Sequence, residues 1–174
     1  SDIRAVVITG AGDRAFCAGA DLVERRGMDE ADVRRVLSEY TRVFGAIDRL
    51  DRPVIAAING VALGGGLELA LACDLRVMVA GASVGLPETS LAVIPGAGGT
   101  QRLPRIVGVP RAKEMVLLGQ PMNGTAALES GLVNRVAASG QSALECALEL
   151  AEPFQKAAPI ALAAALEALD AALG

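Results

Sequence analysis

Two glutamates stand in settings where a carboxylate is unexpected. Glu68 lies in Leu67-Glu68-Leu69-Ala70-Leu71-Ala72-Cys73, a segment apolar on every helical face. A helix apolar all round is a buried one. Glu88 lies among apolar and small residues in Gly85-Leu86-Pro87-Glu88-Thr89-Ser90-Leu91. Burial disfavours the charged form of a carboxylate, so each acid needs a partner or a shifted pKa. Two such groups near one ligand are suited to proton transfer. The bland alternative is that one caps a helix and the other pairs with an arginine.

Just before Glu68 run Gly64-Gly65-Gly66. Glycines let a ligand approach the main chain closely. At the start of a helix they leave N–H groups uncovered at the positive end of the dipole. An earlier loop, Cys17-Ala18-Gly19-Ala20-Asp21, has the same small-residue character. One N–H from each loop could grip a single oxygen, an arrangement that suits a thioester carbonyl becoming an enolate. The same glycines would also serve tight strand–helix packing.

The elements that must position these residues read as strands alternating with helices. Apolar, β-branched runs at residues 3–9, 54–58 and 75–79 predict buried strands, with shorter ones at 82–86 and 132–136. Helical spacing of apolar residues predicts helices at 29–50, 67–73, 100–107, 110–118 and 125–130. Two Ala/Leu-rich helices split near Pro159 close the chain. Residues 87–93 read as a short helix or turn, and 10–21, 59–66 and 86–99 as loops. Such units imply a parallel sheet with helices outside, and ligands beyond the carboxyl ends of its strands.

Composition excludes several functions. Among the 174 residues there is no histidine, which removes Ser-His-Asp and Cys-His catalysis and any His-ligated metal site. Acid–base work then falls to carboxylates, Lys, Cys, Tyr or backbone groups. A formal charge of −4 with 2% aromatics argues against a nucleic-acid partner. Cys17, Cys73 and Cys146 are far apart and odd in number, predicting no disulfide framework, no zinc site and a reducing compartment. No apolar run is long enough to span a membrane, and no N-terminal signal segment is read. The hydrophobic fraction of 52% supports one packed domain over residues 1–174.

Two motifs are decoys. Residues 10–15, Gly10-Ala11-Gly12-Asp13-Arg14-Ala15, match the dinucleotide fingerprint, but Phe16-Cys17-Ala18-Gly19-Ala20 beyond them does not read as its helix. Residues 81–85, Gly81-Ala82-Ser83-Val84-Gly85, match the nucleophile elbow, whose histidine does not exist here.

Taken together, Phe16-Cys17-Ala18-Gly19-Ala20-Asp21-Leu22, the stretch from Ala57 through Asn59-Gly60 and Gly64-Gly65-Gly66-Leu67-Glu68 to Ala70, Gly85-Leu86-Pro87-Glu88, Ile94-Pro95-Gly96-Ala97-Gly98-Gly99-Thr100-Gln101-Arg102-Leu103 and Gly131-Leu132-Val133 resemble the crotonase (enoyl-CoA hydratase/isomerase) family in order and spacing. The look is of its hydratases, of the 3-methylglutaconyl-CoA hydratase kind. The resemblance implies an α/β spiral of ββα units, assembled as trimers or dimers of trimers, acting on an acyl-CoA thioester with coenzyme A as part of the substrate and no further cofactor. It places the oxyanion donors at Ala20 and Gly65 and the catalytic acids at Glu68 and Glu88. Glu88 would handle the α-carbon proton, and Glu68 the water added at the β-carbon. The loop backbone at Ala18, Asp21 and Leu22 falls where the CoA adenine and pantetheine are received, and Gly64 counts with them as a substrate- and CoA-binding position. It further implies a cytoplasmic enzyme, or one of the mitochondrial matrix in a eukaryote. Relative to the family, the N-terminal strand pair and first helix and the C-terminal trimerisation helices are expected to be missing. The alternatives are a family isomerase, or a non-catalytic acyl-CoA-binding or assembly paralogue; a dinucleotide oxidoreductase is the reading that residues 10–15 alone would give.

Overall fold

The computed structural model describes residues 3–172. Its strands form two sheets rather than the single one that periodicity implies. The first contains β1 (Val6–Thr9), β3 (Val54–Ile58), β5 (Leu75–Met78) and β8 (Arg135–Val136), all parallel in the order β1-β3-β5-β8. The second contains β2 (Ala15–Cys17), β4 (Val61–Leu63), β6 (Ser83–Gly85) and β7 (Met122–Asn123), in the order β2-β4-β6-β7. There β2, β4 and β6 run parallel and β7 antiparallel.

Each of the first three turns of chain lays one strand in the first sheet, one in the second, and then a helical segment; the last turn places β7 in the second sheet before β8 in the first. The first helical segment comprises α1 (Leu22–Arg26) and α2 (Glu30–Asp48), and the second is α3 (Gly65–Leu71). The third comprises a 3₁₀ turn (Glu88–Leu91), α4 (Gly99–Val107) and α5 (Val109–Leu118). After these come α6 (Gly124–Glu129), α7 (Ala143–Ala151), a 3₁₀ turn (Glu152–Gln155) and α8 (Pro159–Ala171). This is the expected α/β spiral of ββα units. Among the described residues no helix is long and apolar enough to cross a membrane.

The core follows from the apolar runs. β3 is fully buried along Val54–Ile58, lying between β1 and β5. Its alternating side chains feed two clusters, with Val54, Ala56 and Ile58 on one face and Ile55 and Ala57 on the other. β1 is a sheet edge and only half-buried, so its predicted full burial is corrected. The predicted strand at 132–136 shrinks to Arg135–Val136. Leu132 and Val133 are instead apolar plugs in the turn after α6, which explains why they looked like strand.

Two polar residues bind the layers. The Asn59 amide donates to the carbonyls of Gly10 (3.2 Å) and Gly12 (2.7 Å), and its Oδ1 accepts from Gly10 N–H (3.0 Å). The first of the supposed nucleotide glycines is therefore held in a turn that enters β2, a strand and not a helix. Arg76 on β5, only 6% exposed, donates to the carbonyls of Cys73 (2.6 Å) and Leu132 (2.8 Å), with longer bonds to Ala70 and Asp74. A guanidinium at the carboxyl end of α3 also meets the negative end of the helix dipole. Burial lowers its pKa, and that cost is offset by four carbonyl acceptors.

Replacing Arg76 with Met keeps the stem and strands those carbonyls. The expected loss is about 2 kcal/mol of unfolding free energy, read as a lower urea midpoint with an unchanged slope.

Candidate active site

The second sheet builds the site. β2, β4 and β6 are neighbours, with Cys17 opposite Ala62 and Leu63 opposite Gly85. Their carboxyl ends therefore release three loops side by side. Ala20 follows β2, Gly65 follows β4 and Glu88 follows β6. β6 falls within the strand expected at 82–86, but β2 and β4, at three residues each, do not show in hydropathy periodicity, which is why residues 10–21 and 59–66 read as loops.

The first two loops touch backbone to backbone. A methyl group on Gly66 would sit inside the van der Waals shell of the Cys17 carbonyl. One on Gly19 would lie 2.9 Å from the Leu63 carbonyl oxygen and 3.6 Å from Gly65 N. Gly19 (φ 94°) and Gly64 (φ 55°) also hold backbone angles that L side chains rarely adopt. The loop of residues 18–20 is thereby laid against the first residue of α3. Among the described residues no acceptor is hydrogen-bonded to the Ala20 or Gly65 amide.

Asp21 ends the loop and Leu22 begins a helix that the periodicity did not predict. Leu22 opens α1, and Asp21 caps it by accepting from Val23 N–H (2.7 Å) and Glu24 N–H (3.4 Å). The Asp21 carboxylate is thus occupied by its own helix. Ala18 is exposed and Gly64 half-buried beside the site.

The two acids are held differently. Glu68, 3% exposed, is in the first turn of α3. Its Oε1 accepts from Ala97 N–H and Gly99 N–H, each at 2.8 Å. Those amides come from the glycine-rich loop before α4, a role that its sequence pattern did not disclose. Its signal was the crowding of glycines: a methyl on Gly99 would meet Glu68 Oε1 at 2.9 Å. Arg102 fastens that loop, donating to Ala97 O (3.2 Å) and to Asp48 on α2 (3.0 Å). Glu68 pairs with no arginine among the described residues, but through Gly99 N–H it satisfies an amide at the start of α4, so the helix-capping alternative holds in part.

Glu88, 9% exposed, opens the 3₁₀ turn after β6. Its Oε2 is buried with no hydrogen-bond partner. An Oε1 contact of 3.0 Å to the position of a Gly64 methyl puts this carboxyl against the start of α3. Burial pushes the Glu88 pKa up; its own backbone N–H opposes this, the Glu68 carboxylate adds to it and the Arg25 guanidinium draws it back. The structure thus brings both acids, Gly64, Gly65 and the loop of Ala18 and Ala20 to one place. It also adds Ala97, Gly99 and Arg25. Among the described residues no cluster of three or more His, Cys, Asp or Glu side chains is placed to hold a metal.

This fold is that of a known enzyme family. The enoyl-CoA hydratase/isomerase family model matches residues 1–174. The crystal structure of enoyl-CoA hydratase from Bacillus anthracis is 52% identical and superposes with a TM-score of 0.92, covering 96% of this chain and 64% of that one. Among curated relatives, human mitochondrial methylglutaconyl-CoA hydratase is 44% identical over 97% of this chain and 50% of its own length. Enoyl-CoA isomerase/hydratase fer4 of Mycosarcoma maydis is 48% identical over 95% of this chain and 60% of its own. The chain belongs to the enoyl-CoA hydratase/isomerase family. It spans about half to two thirds of the length of these relatives.

Glu88 makes stability depend on pH with a definite sign. Between the ordinary carboxylate value of 4.5 and its raised value, the folded chain keeps a proton that the unfolded chain has released. Stability therefore falls as pH rises through that interval. Glu88→Gln, isosteric and uncharged, should be more stable than the parent in urea at pH 8, with the advantage fading as pH drops to about 4.5.

Proposed function

We propose that the chain is an enoyl-CoA hydratase, adding water across the α,β double bond of an enoyl-CoA thioester. The observation that carries this reading is the asymmetric pair of buried acids, one oxygen of Glu68 anchored by two amides and one oxygen of Glu88 with no partner. The thioester carbonyl accepts from the Ala20 and Gly65 N–H groups. Ala18, Asp21, Leu22 and Gly64 contribute backbone around the thioester and its CoA arm. Glu68 takes a proton from water as oxygen bonds to the β-carbon. The π electrons move toward the α-carbon and the carbonyl oxygen gains enolate charge. Glu88 then delivers a proton to the α-carbon, a role that its raised pKa favours. Each oxyanion donor supplies about 3–4 kcal/mol of such stabilisation in other enzymes.

The same reading takes residues 1–174 as one crotonase-like core, coenzyme A as part of the substrate with no separate cofactor, and assembly as a homotrimer or hexamer. Exposed apolar residues on α5 (Leu117, Leu118) and α8 (Ile160, Leu169) support a covered surface in the assembled protein. Three free cysteines, two of them buried, support a reducing compartment, the cytoplasm or the mitochondrial matrix.

Crotonyl-CoA hydration is followed as loss of the conjugated-thioester absorbance. The parent chain is expected to consume that absorbance, and Glu68→Gln or Glu88→Gln to slow it by about 10²–10⁴-fold with CoA-thioester binding retained. Near-normal turnover in either variant would remove the assigned pair. An isomerase would instead create the absorbance from a 3-enoyl-CoA while leaving crotonyl-CoA unhydrated, and a binding paralogue would do neither.

A further inference from the structure

Glu68 is aimed by backbone from another part of the chain. The Ala97 and Gly99 amides that meet its Oε1 stand on Pro95-Gly96-Ala97-Gly98-Gly99. Glycine leaves a backbone freer than any other residue, so this loop needs outside support. Part of it is apolar and comes from α2. Leu37 packs against Gly96, where a methyl group would meet its Cδ2 at 2.7 Å, and Phe44 shares a small buried cluster with Ala97.

The polar support is Arg102, in the first turn of α4. Its Nη1 fills the space that a side chain on Gly98 would need, and Gly98 itself holds a φ of 103°. The guanidinium spans two acceptors. Nη1 donates to the Ala97 carbonyl (3.2 Å) and Nη2 to Asp48 Oδ2 (3.0 Å). Ala97 is therefore held on both sides, its carbonyl by Arg102 and its amide by Glu68.

Asp48 stands in a poor place for a carboxylate. It is the last residue of α2, whose final turn carries no basic residue. A negative charge at that end opposes the helix dipole. A second acid is near, since burial and then the charge of Asp48 push the Asp170 pKa up. Among the described residues its ion-pair partner is Arg102. Local rules are broken in this way where a group serves a site.

We propose that Asp48 and Arg102 are positioning residues for the hydration step, their ion pair fixing the loop whose two amides aim Glu68. The proposal rests on the hydratase reading for the reaction, and it adds residues that act on Glu68 only through Ala97. The planar fork is required, because a lysine ammonium is a point charge and cannot bridge both acceptors in one geometry.

Asp48→Asn removes the charge and keeps the shape, at a side chain that is 46% exposed. Arg102→Lys is the second variant, and circular dichroism checks that both fold. By NMR hydrogen exchange the Ala97 and Gly99 amides should exchange at least about 10-fold faster in either variant, with those of Val54–Ile58 unchanged. In crotonyl-CoA hydration kcat should fall about 10-fold at constant KM. In a Glu68→Gln background Asp48→Asn should lower the rate no further, because the acid it aims is gone. A merely structural role would cut the rate by the same factor in both backgrounds. Unchanged exchange at the two amides, an unchanged kcat in a chain that does hydrate, or equal losses in both backgrounds overturns the proposal. A parent chain that hydrates nothing loses the hydratase reading, and exchange then decides by itself whether the ion pair holds the amides at Glu68.

Discussion

No side chain fits between the loop after β2 and the start of α3, and the rest of the site depends on that contact. Gly66 faces the Cys17 carbonyl, and Gly19 faces the Leu63 carbonyl, at separations that leave no room for a β-carbon. Main chain against main chain is the closest approach a protein can make. It lays the loop containing Ala20 against the first residue of α3. Because α3 starts there, Glu68 comes within its first turn, where it reaches the amides of Ala97 and Gly99.

The acids divide their environment unequally. Glu68 sits in a polar socket made of backbone, which fixes its rotamer without spending a second side chain. Glu88 sits at the end of β6 with one oxygen buried and unpaired, a group that would ordinarily cost the fold stability. A stable protein tolerates few such groups, and they gather where chemistry is done. The Arg25 guanidinium on α1 draws the Glu88 pKa partly back down through its charge. Orientation, burial and counter-charge are therefore assigned to three different elements, so each can be altered separately.

Legibility in the sequence tracked element length. The long apolar strand at Val54–Ile58 and the amphipathic helix at Glu30–Asp48 were both readable, because enough residues share each period to stand above noise. β2, β4 and β7 were not, because two or three residues cannot display a period of two convincingly. Missing them merged two sheets into one in the reading from periodicity. The resemblance to the family supplied the spiral that the pattern could not. Leu132 and Val133 misled in the opposite direction, being buried by a turn and not by a strand. α1 escaped notice because its five residues present no buried side chain.

The sequence by itself determined that two carboxylates are buried, that glycines crowd two loops, and that histidine chemistry is absent. These are properties of residue type and immediate neighbours, and they need no coordinates. Only the tertiary structure decided which groups meet. The Ala97 and Gly99 amides lie about thirty residues from Glu68 in sequence, and no local pattern records that they share its oxygen. Arg25 carried no reading from the sequence, and its charge acts on Glu88 only because of where the fold places the two. Strand order in the second sheet made those contacts, because adjacency of loop ends depends on which strands exchange hydrogen bonds and not on how far apart they fall along the chain.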